Sequence, residues 1–391
     1  MLRSLDSGVS GLQAQQTMLD VVGNNIANVN TTGYKASEVD FESTLSQILG
    51  AATAPTAAGG GTNPSEVGLG VRVASTDTNW TEGSATNTGV GTNLMINGDG
   101  FFIVNDGGTT EYTRAGDFTA DANGNLVSPD GAIVQGWSAT NGVINTGAAP
   151  SNLTIPLSAM SPAVQTTQAT ITGNLPEDAT AGTTVPAEVQ VYDASGDEQT
   201  LSVTFTRTAT GWDASASDPA GDTGTDTLTF DNGALTGGGS MTVGGMTVDL
   251  SQVTGFAGTT SAAFTAQNGN AAGTLTSYTI GDDGTIDGTF SNGEKEAIGQ
   301  VALANFGNPS GLESVGNSNY TATANSGLPE VGAAGTSGIG SLTSGEVEGS
   351  NVDLSQEFTN LIVAERAFQA SARVITTSDD ILQSLTSLQD G

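Results

Sequence analysis

The nearest approach to metal chemistry in this sequence is GDTGTDTLT, Gly221 to Thr229. It matches the nonapeptide calcium-repeat pattern at every fixed position but one, Asp222 standing where the second glycine belongs. Such repeats share each ion between stacked turns, which a single copy cannot build, and an ordinary Asp-rich hairpin turn accounts for the same residues. ADANGN around Asp121 departs from the helix-loop-helix calcium loop, because the ligand spacing and the closing glutamate are missing. The chain has no histidine and no cysteine. That removes the commonest general base, the usual nucleophile pairings, the usual zinc ligands and any disulfide framework. A carboxylate pair for glycoside hydrolysis would sit among aromatic sugar platforms, yet aromatic residues make up only 5% of the chain. Lys35 and Lys295 are the only lysines, and neither lies in a phosphate-loop pattern. The expectation is a chain with no catalytic, cofactor-binding or metal-binding residues, and not an enzyme.

With 41 acidic residues against 8 basic ones, the formal net charge is −33. Phosphates would be repelled, so neither nucleic acid nor an anionic membrane is an expected partner. Only 13% of residues are charged, so Thr, Ser, Asn and Gln must make up most of the polar surface. No run of eighteen apolar residues is present to span a membrane. Met1 to Ser10, with Arg3 and Asp6 among alternating polar residues, lacks the apolar core of a secretory signal. Export would then use a route without a cleavable signal peptide.

The elements that could position a site lie at the two ends. Leu5, Leu12, Leu19 and Ile26 stand seven apart, with Leu2, Val9, Val22 and Val29 widening the stripe. Leu354, Leu361, Phe368, Ile375 and Leu382 repeat the spacing, with Phe358, Ala364, Ala372 and Leu385 between them. The spacing predicts an amphipathic helix at each end, from about Leu2 to Asn28 and from Leu354 to Leu388. Both stripes are narrow and carry Gln16, Glu365 and Asp379 at heptad positions. That suits contact with several neighbouring chains better than one dry two-helix core. Leu5, Val9, Leu12, Leu19, Val22, Ile26, Leu354, Phe358, Leu361, Phe368, Ile375 and Leu382 are therefore the candidate polymerisation seam. Pairing of the two helices within one chain is the competing reading. If the helices wait for neighbours, dilute monomer holds little helix, because a lone helix of this length is marginal in water. Asn24, Asn25, Asn28, Gly33, Tyr34 and Lys35 form the turn out of the first helix, Asn and Gly supplying left-handed conformations.

Between the helices, 55 glycines and many Thr, Asn and Asp residues break alternating apolar and polar runs into short strands and hairpins. From Tyr34 to Leu49 the spacing of Phe41, Leu45 and Ile48 permits either a short helix or an extended arm, and residues 51 to 66 read as a flexible loop. Three prolines between Asn145 and Pro162 mark a crossover into a second β domain. The expected fold is mixed: long α-helical termini forming a coiled-coil-like domain, with nested mainly-β domains inserted between them. The expected layers are 1–30 with 352–391 as the helical polymerisation domain, 31–72 with 338–351 as linker, 73–145 with 286–337 as inner β domain, and 146–285 as inserted outer β domain.

SGLQAQQTMLDVVGNNIANVNTTGYK, Ser10 to Lys35, resembles the N-terminal signature of flagellar rod and hook subunits. INGDGFFIV (Ile96 to Val104), YTRAGDFTADANGNLV (Tyr112 to Val127), VALANFGNPSGL (Val301 to Leu312) and the closing VDLSQEFTNLIVAERAFQASARVITTSDDIL extend the likeness over the first and last thirds. Residues 146–285 match more loosely, and an insertion there points to the longer hook-forming members over the shorter rod members. The resemblance implies subunits stacked helically into a short, hollow, extracellular tube, with the terminal helices lining its channel and the β domains outside. That tube would couple rod to filament as a universal joint. The partners implied are further copies of the chain, the distal rod protein, the hook cap, the hook-filament junction protein and the flagellar export apparatus. A distal rod subunit, or an acidic calcium-dependent secreted adhesin or surface-layer protein, stays open as an alternative.

Overall fold

The computed structural model describes residues 2–55, 60–156 and 158–389; the side chains of Leu2, Leu385, Leu388 and Gln389 lie outside the description, and with them two positions of the expected stripes. Helix α1 spans Leu2–Ala27 and helix α2 spans Leu354–Gln389. Among the described residues all other regular structure is strand, apart from a short 3₁₀ turn at Pro309–Gly311. Helix α2 is started by Asp353, whose Oδ1 accepts from the backbone N–H of Ser355 at 2.8 Å and of Gln356 at 3.3 Å. That is the N-cap role of a short acidic side chain.

The chain divides into two compact units. The first comprises Met1–Pro156, Thr279–Asp287 and Ala297–Gly391. Its β structure is built on the hairpin of Phe101–Asp106 and Thr109–Thr113, with Ile103 opposite Tyr112. Phe101, Ile103, Tyr112, Trp137, Ala302, Ala304 and Phe306 form a buried cluster, edge-on where Tyr112 meets Phe306 at 4.8 Å. Trp80 closes it, 5.1 Å from Phe101 and 4.9 Å from Tyr320. The second unit comprises Leu157–Tyr278 and Gly288–Glu296. In it a five-stranded sheet covering residues 184–237 and a four-stranded sheet from residues 168–174 and 240–267 bury one core, including Leu201, Val203, Phe205, Trp212 and Val248. Alternation does this: along Glu198–Arg207 every second residue from Leu201 to Phe205 points inward.

The segment left open between helix and arm is an arm. Ser37–Ser43 pairs antiparallel with Val71–Thr78, and Ser46–Gly50 with Ser65–Gly68. The expected loop at 51–66 is in part the tip of this ribbon, because a Thr53–Thr62 bridge continues the pairing; residues 56–59 lie outside the description. The calcium-like stretch is a hairpin: Asp218 Oδ1 accepts from the Asp222 N–H at 2.8 Å, and Thr223–Asp231 is a strand. Among the described residues no cluster of acidic side chains could hold a metal.

Candidate functional site

Helices α1 and α2 pack against each other along their length. Ser4 hydrogen-bonds to Ser378, a Cβ on Gly8 would lie 3.0 Å from Ile375, one on Gly11 would lie 3.1 Å from Ser371, and Asn25 bonds Glu357. Position numbers rise on one helix as they fall on the other, so the pair is antiparallel. The most buried heptad of α2 is not the expected one. Glu357, Ala364 and Ser378 are 7%, 0% and 6% exposed, and Ser371 is half-buried beside them. Leu361, Phe368, Ile375 and Leu382 are only half-buried, whereas Leu354 and Phe358 are exposed. On α1 likewise, Leu5, Leu12, Leu19 and Ile26 are half-buried, Val9 is exposed and Val22 is buried.

The physical reason is side-chain size. Glycine, alanine and serine let two helices approach closely, so the small face of each turns to its mate. Most of the large residues are left at the flanks, although Val22 is buried and Ile375 reaches Gly8. This pairing within the chain is the reading that the sequence ranked second. It leaves Phe358, Ile362 and Val363 more than half exposed, with Val374 and Ile381 close behind. Burying one such side chain is worth about 1.5–3 kcal/mol, so association through these flanks would be favourable.

The foot of the helix pair is a buried polar junction. Of the turn residues Asn24, Asn25, Asn28, Gly33, Tyr34 and Lys35, only Gly33 takes the left-handed conformation, at φ 66°. A Cβ there would also lie 2.4 Å from the Ala115 nitrogen, so both space and backbone require glycine. The asparagines, expected to supply left-handed conformations, act instead through their side chains while their backbones stay right-handed. Asn28 Nδ2 donates to Asn24 Oδ1 at 2.8 Å. Asn25, 1% exposed, donates to Ser37 O at 2.8 Å and to Glu357 Oε1 at 3.1 Å, and accepts from Tyr34 OH and Ser37 N, both at 3.0 Å. It ties α1, the arm and α2 together.

Lys35 is 2% exposed. Its Nζ donates to Glu348 Oε1 at 2.5 Å and to Thr81 O at 2.7 Å. Gly83 N adds a bond to the same Glu348 oxygen at 2.8 Å, and Arg114 Nη1 stands 3.5 Å from Oε2. Burial pushes the Lys35 amine and the Arg114 guanidinium down from their ordinary values, against the opposing pull of Glu348. Burial also raises the Glu357 carboxyl, with Glu38 and Asp353 adding to the effect and the Asn25 bond resisting it. Sequence reasoning named Lys35 and Asn25 but missed Glu348, Arg114, Asn351 and Glu357. Asn351 accepts from Ala36 N at 2.8 Å and donates to Asn79 O at 2.8 Å. A buried lysine must have an acid, and that was the signal available; its position 313 residues away was not.

What the described residues build here is a braced helix pair with apolar flanks. Three family models match this chain: "Flagella basal body rod protein" over residues 5–35, "Flagellar hook protein FlgE/F/G D1 domain" over 95–174 and "Flagellar basal body rod FlgEFG protein C-terminal" over 343–388. The matched ends take in nearly all of both helices and the whole of the junction's turn. The chain is 39% identical to the flagellar hook protein FlgE of Borreliella burgdorferi, covering 100% of both chains. It is 37% identical to that of Salmonella typhimurium, covering 99% of this chain and all of the relative. Against the flagellar basal-body rod protein FlgG of Bacillus subtilis the identity is 30% over the full length of both. No helix is long and apolar enough to cross a membrane among the described residues. The identity over the full length of the hook relatives shows the family: this chain belongs to the flagellar hook protein family, FlgE, whose members are structural proteins and not enzymes.

Proposed function

We propose that this hook subunit polymerises helically into a hollow, flexible tube that joins rod to filament as a universal joint, and that the flanks of the α1–α2 pair are its fixed inner contacts. One observation carries the reading: the pair spends its small residues on itself and leaves Phe358, Ile362, Val363, Val374 and Ile381 exposed. Bending then requires outer contacts that exchange while the inner ones hold. The strands of the second unit suit that role, since their outward positions are largely Thr, Ser and Asp, which favour wet, exchangeable contacts. The layering proposed is 1–30 with 352–391 innermost, then 31–72 with 338–351, then 73–145 with 286–337, and 146–285 outermost. Contacts at the tube's ends fall to the distal rod protein, the hook cap and the hook-filament junction protein, and delivery to the flagellar export apparatus.

The test is Ile362→Asp combined with Val374→Asp. Both residues are exposed in the single chain, so the monomer should keep its helix content by circular dichroism while pelletable polymer disappears. Polymer formed at wild-type concentration would contradict the reading. The full-length likeness to a rod protein favours a second reading, a distal rod subunit. Electron micrographs separate the two, since a rod is straight and a hook curved.

A further inference from the structure

The basic residues of this chain are few, and four of the eight are already engaged. Lys35 and Arg114 are buried on Glu348, Arg72 pairs with Glu42, and Arg207 is tied to the carbonyls of Gly211 and Glu177. Arg366 and Arg373 stand seven apart on α2, both exposed, and among the described residues neither makes an ion pair. Their helical neighbours at three and four residues are Ile362, Val363, Gln369, Ala370, Thr376 and Thr377, so no carboxylate answers them from their own helix. Arg366 is held by Gln369 Oε1 at 3.2 Å. In a chain with 41 acidic residues and 8 basic ones, an unanswered arginine is conspicuous.

Its complement lies at the foot of the same helix. A groove of about 380 Å³ is bounded by Val22, Glu38, Val39, Gln356, Glu357 and Asn360. Glu357 is 7% exposed; one carboxylate oxygen takes the Asn25 amide, and the other, Oε2, has no partner. Glu38 is exposed at the rim. The Glu357 carboxyl is raised first by burial, against the Asn25 bond, with Glu38 and then Asp353 adding to the rise, and Tyr34 is raised first by burial and then by Glu357. The groove therefore gathers negative charge without a cation to balance it. A metal ion does not fit, since among the described residues no three acidic groups converge. An arginine does, because Val22 and Val39 offer an apolar wall to its stem while its planar head reaches carboxylates.

We propose that this groove seats Arg373 from a second copy of the chain, with the guanidinium meeting Glu38 at the rim and the Glu357 carboxylate behind it. The contact rests on the reading that the chain polymerises, and it sets the register between neighbouring helix pairs where apolar flanks alone would slide. Charge complementarity at a semi-buried site fixes orientation more than it adds affinity.

Charge reversal tests it: Arg373→Glu, Glu38→Arg and the two together, in the full chain, with the critical concentration for polymerisation read by sedimentation. Each single variant should raise that concentration about tenfold or more, and the double should return to within about threefold of wild type, as coupled residues do. Should Glu38→Arg lower helix content, Glu38→Gln with Arg373→Gln takes its place, and the two losses must then fail to add. An Arg373→Glu chain that polymerises like wild type, a reversal that does not rescue, or losses that add would each overturn the inference. A wild-type chain that never polymerises would overturn the reading beneath it as well; failed rescue beside a polymerising wild type removes the inference alone.

Discussion

Glu348 holds the foot of the helix pair together, because one fully buried carboxylate answers both Lys35 and Arg114 and also takes a backbone N–H from Gly83. Removing it leaves two buried cations without a counter-charge. Glu348→Ala should cost about 3–5 kcal/mol in denaturant unfolding of the unit that contains it, as breaking a buried pair does. Glu357 predicts the opposite sign. Its folded carboxyl is raised, first by burial, so the folded chain holds that proton more tightly than the unfolded one. Stability from this group is present at low pH and lost as pH climbs through the raised value. Thermal stability should therefore increase as pH falls from neutrality toward the ordinary carboxylate range, and Glu357→Gln should raise the midpoint at neutral pH and flatten that slope. Asp121, held below its ordinary range first by Asn125, and Asp193, held down first by the Asp197 N–H, act in the other sense and only at lower pH. The residue scale was only half legible in the sequence. Gly33 could be read, because a left-handed turn leaves a composition signature. The use of Asn25 as a three-way brace could not, since hydrogen bonds between Asn25, Ser37 and Glu357 span 332 residues and carry no local pattern.

At the scale of elements, the heptads placed both helices to within a residue or so at the ends, because a period near 3.6 survives any tertiary context. Which face turns inward did not follow from the apolar stripe. Large side chains mark a helix as amphipathic, whereas close approach is decided by small ones, and Gly8, Gly11, Ala364, Ser371 and Ser378 look inert in a hydropathy pattern. The arm was undecided for a related reason: Phe41, Leu45 and Ile48 fit helix spacing, but pairing with residues 65–78 makes them ribbon. Gly8 gives a prediction that belongs to this scale. A side chain there meets Ile375 at 3.0 Å and the Ser371 carbonyl at 3.4 Å. Gly8→Leu should wedge the pair apart, lowering the stability of the monomer's helices in urea by about 1–3 kcal/mol, the usual cost of overpacking. Helix content unchanged in dilute solution and in urea would mean that the pair does not hold itself together within one chain.

For the whole molecule, the charge and composition argued against nucleic acid and catalysis as expectations, and the nested order of helix, β structure and helix was legible in the sequence. What could not be read was how the single chain and its polymer share one apolar surface. In the single chain small residues serve its own helix pair while several large ones stay exposed, and on the proposed reading those are the surface that neighbours cover. The most direct test uses the absence of cysteine. A single Val363→Cys substitution, at a position 56% exposed in the chain, gives one thiol to label with a maleimide. The account predicts rapid labelling in dilute monomer and labelling slowed about tenfold or more in assembled tubes, where that flank is desolvated. Equal rates in monomer and tube would contradict it.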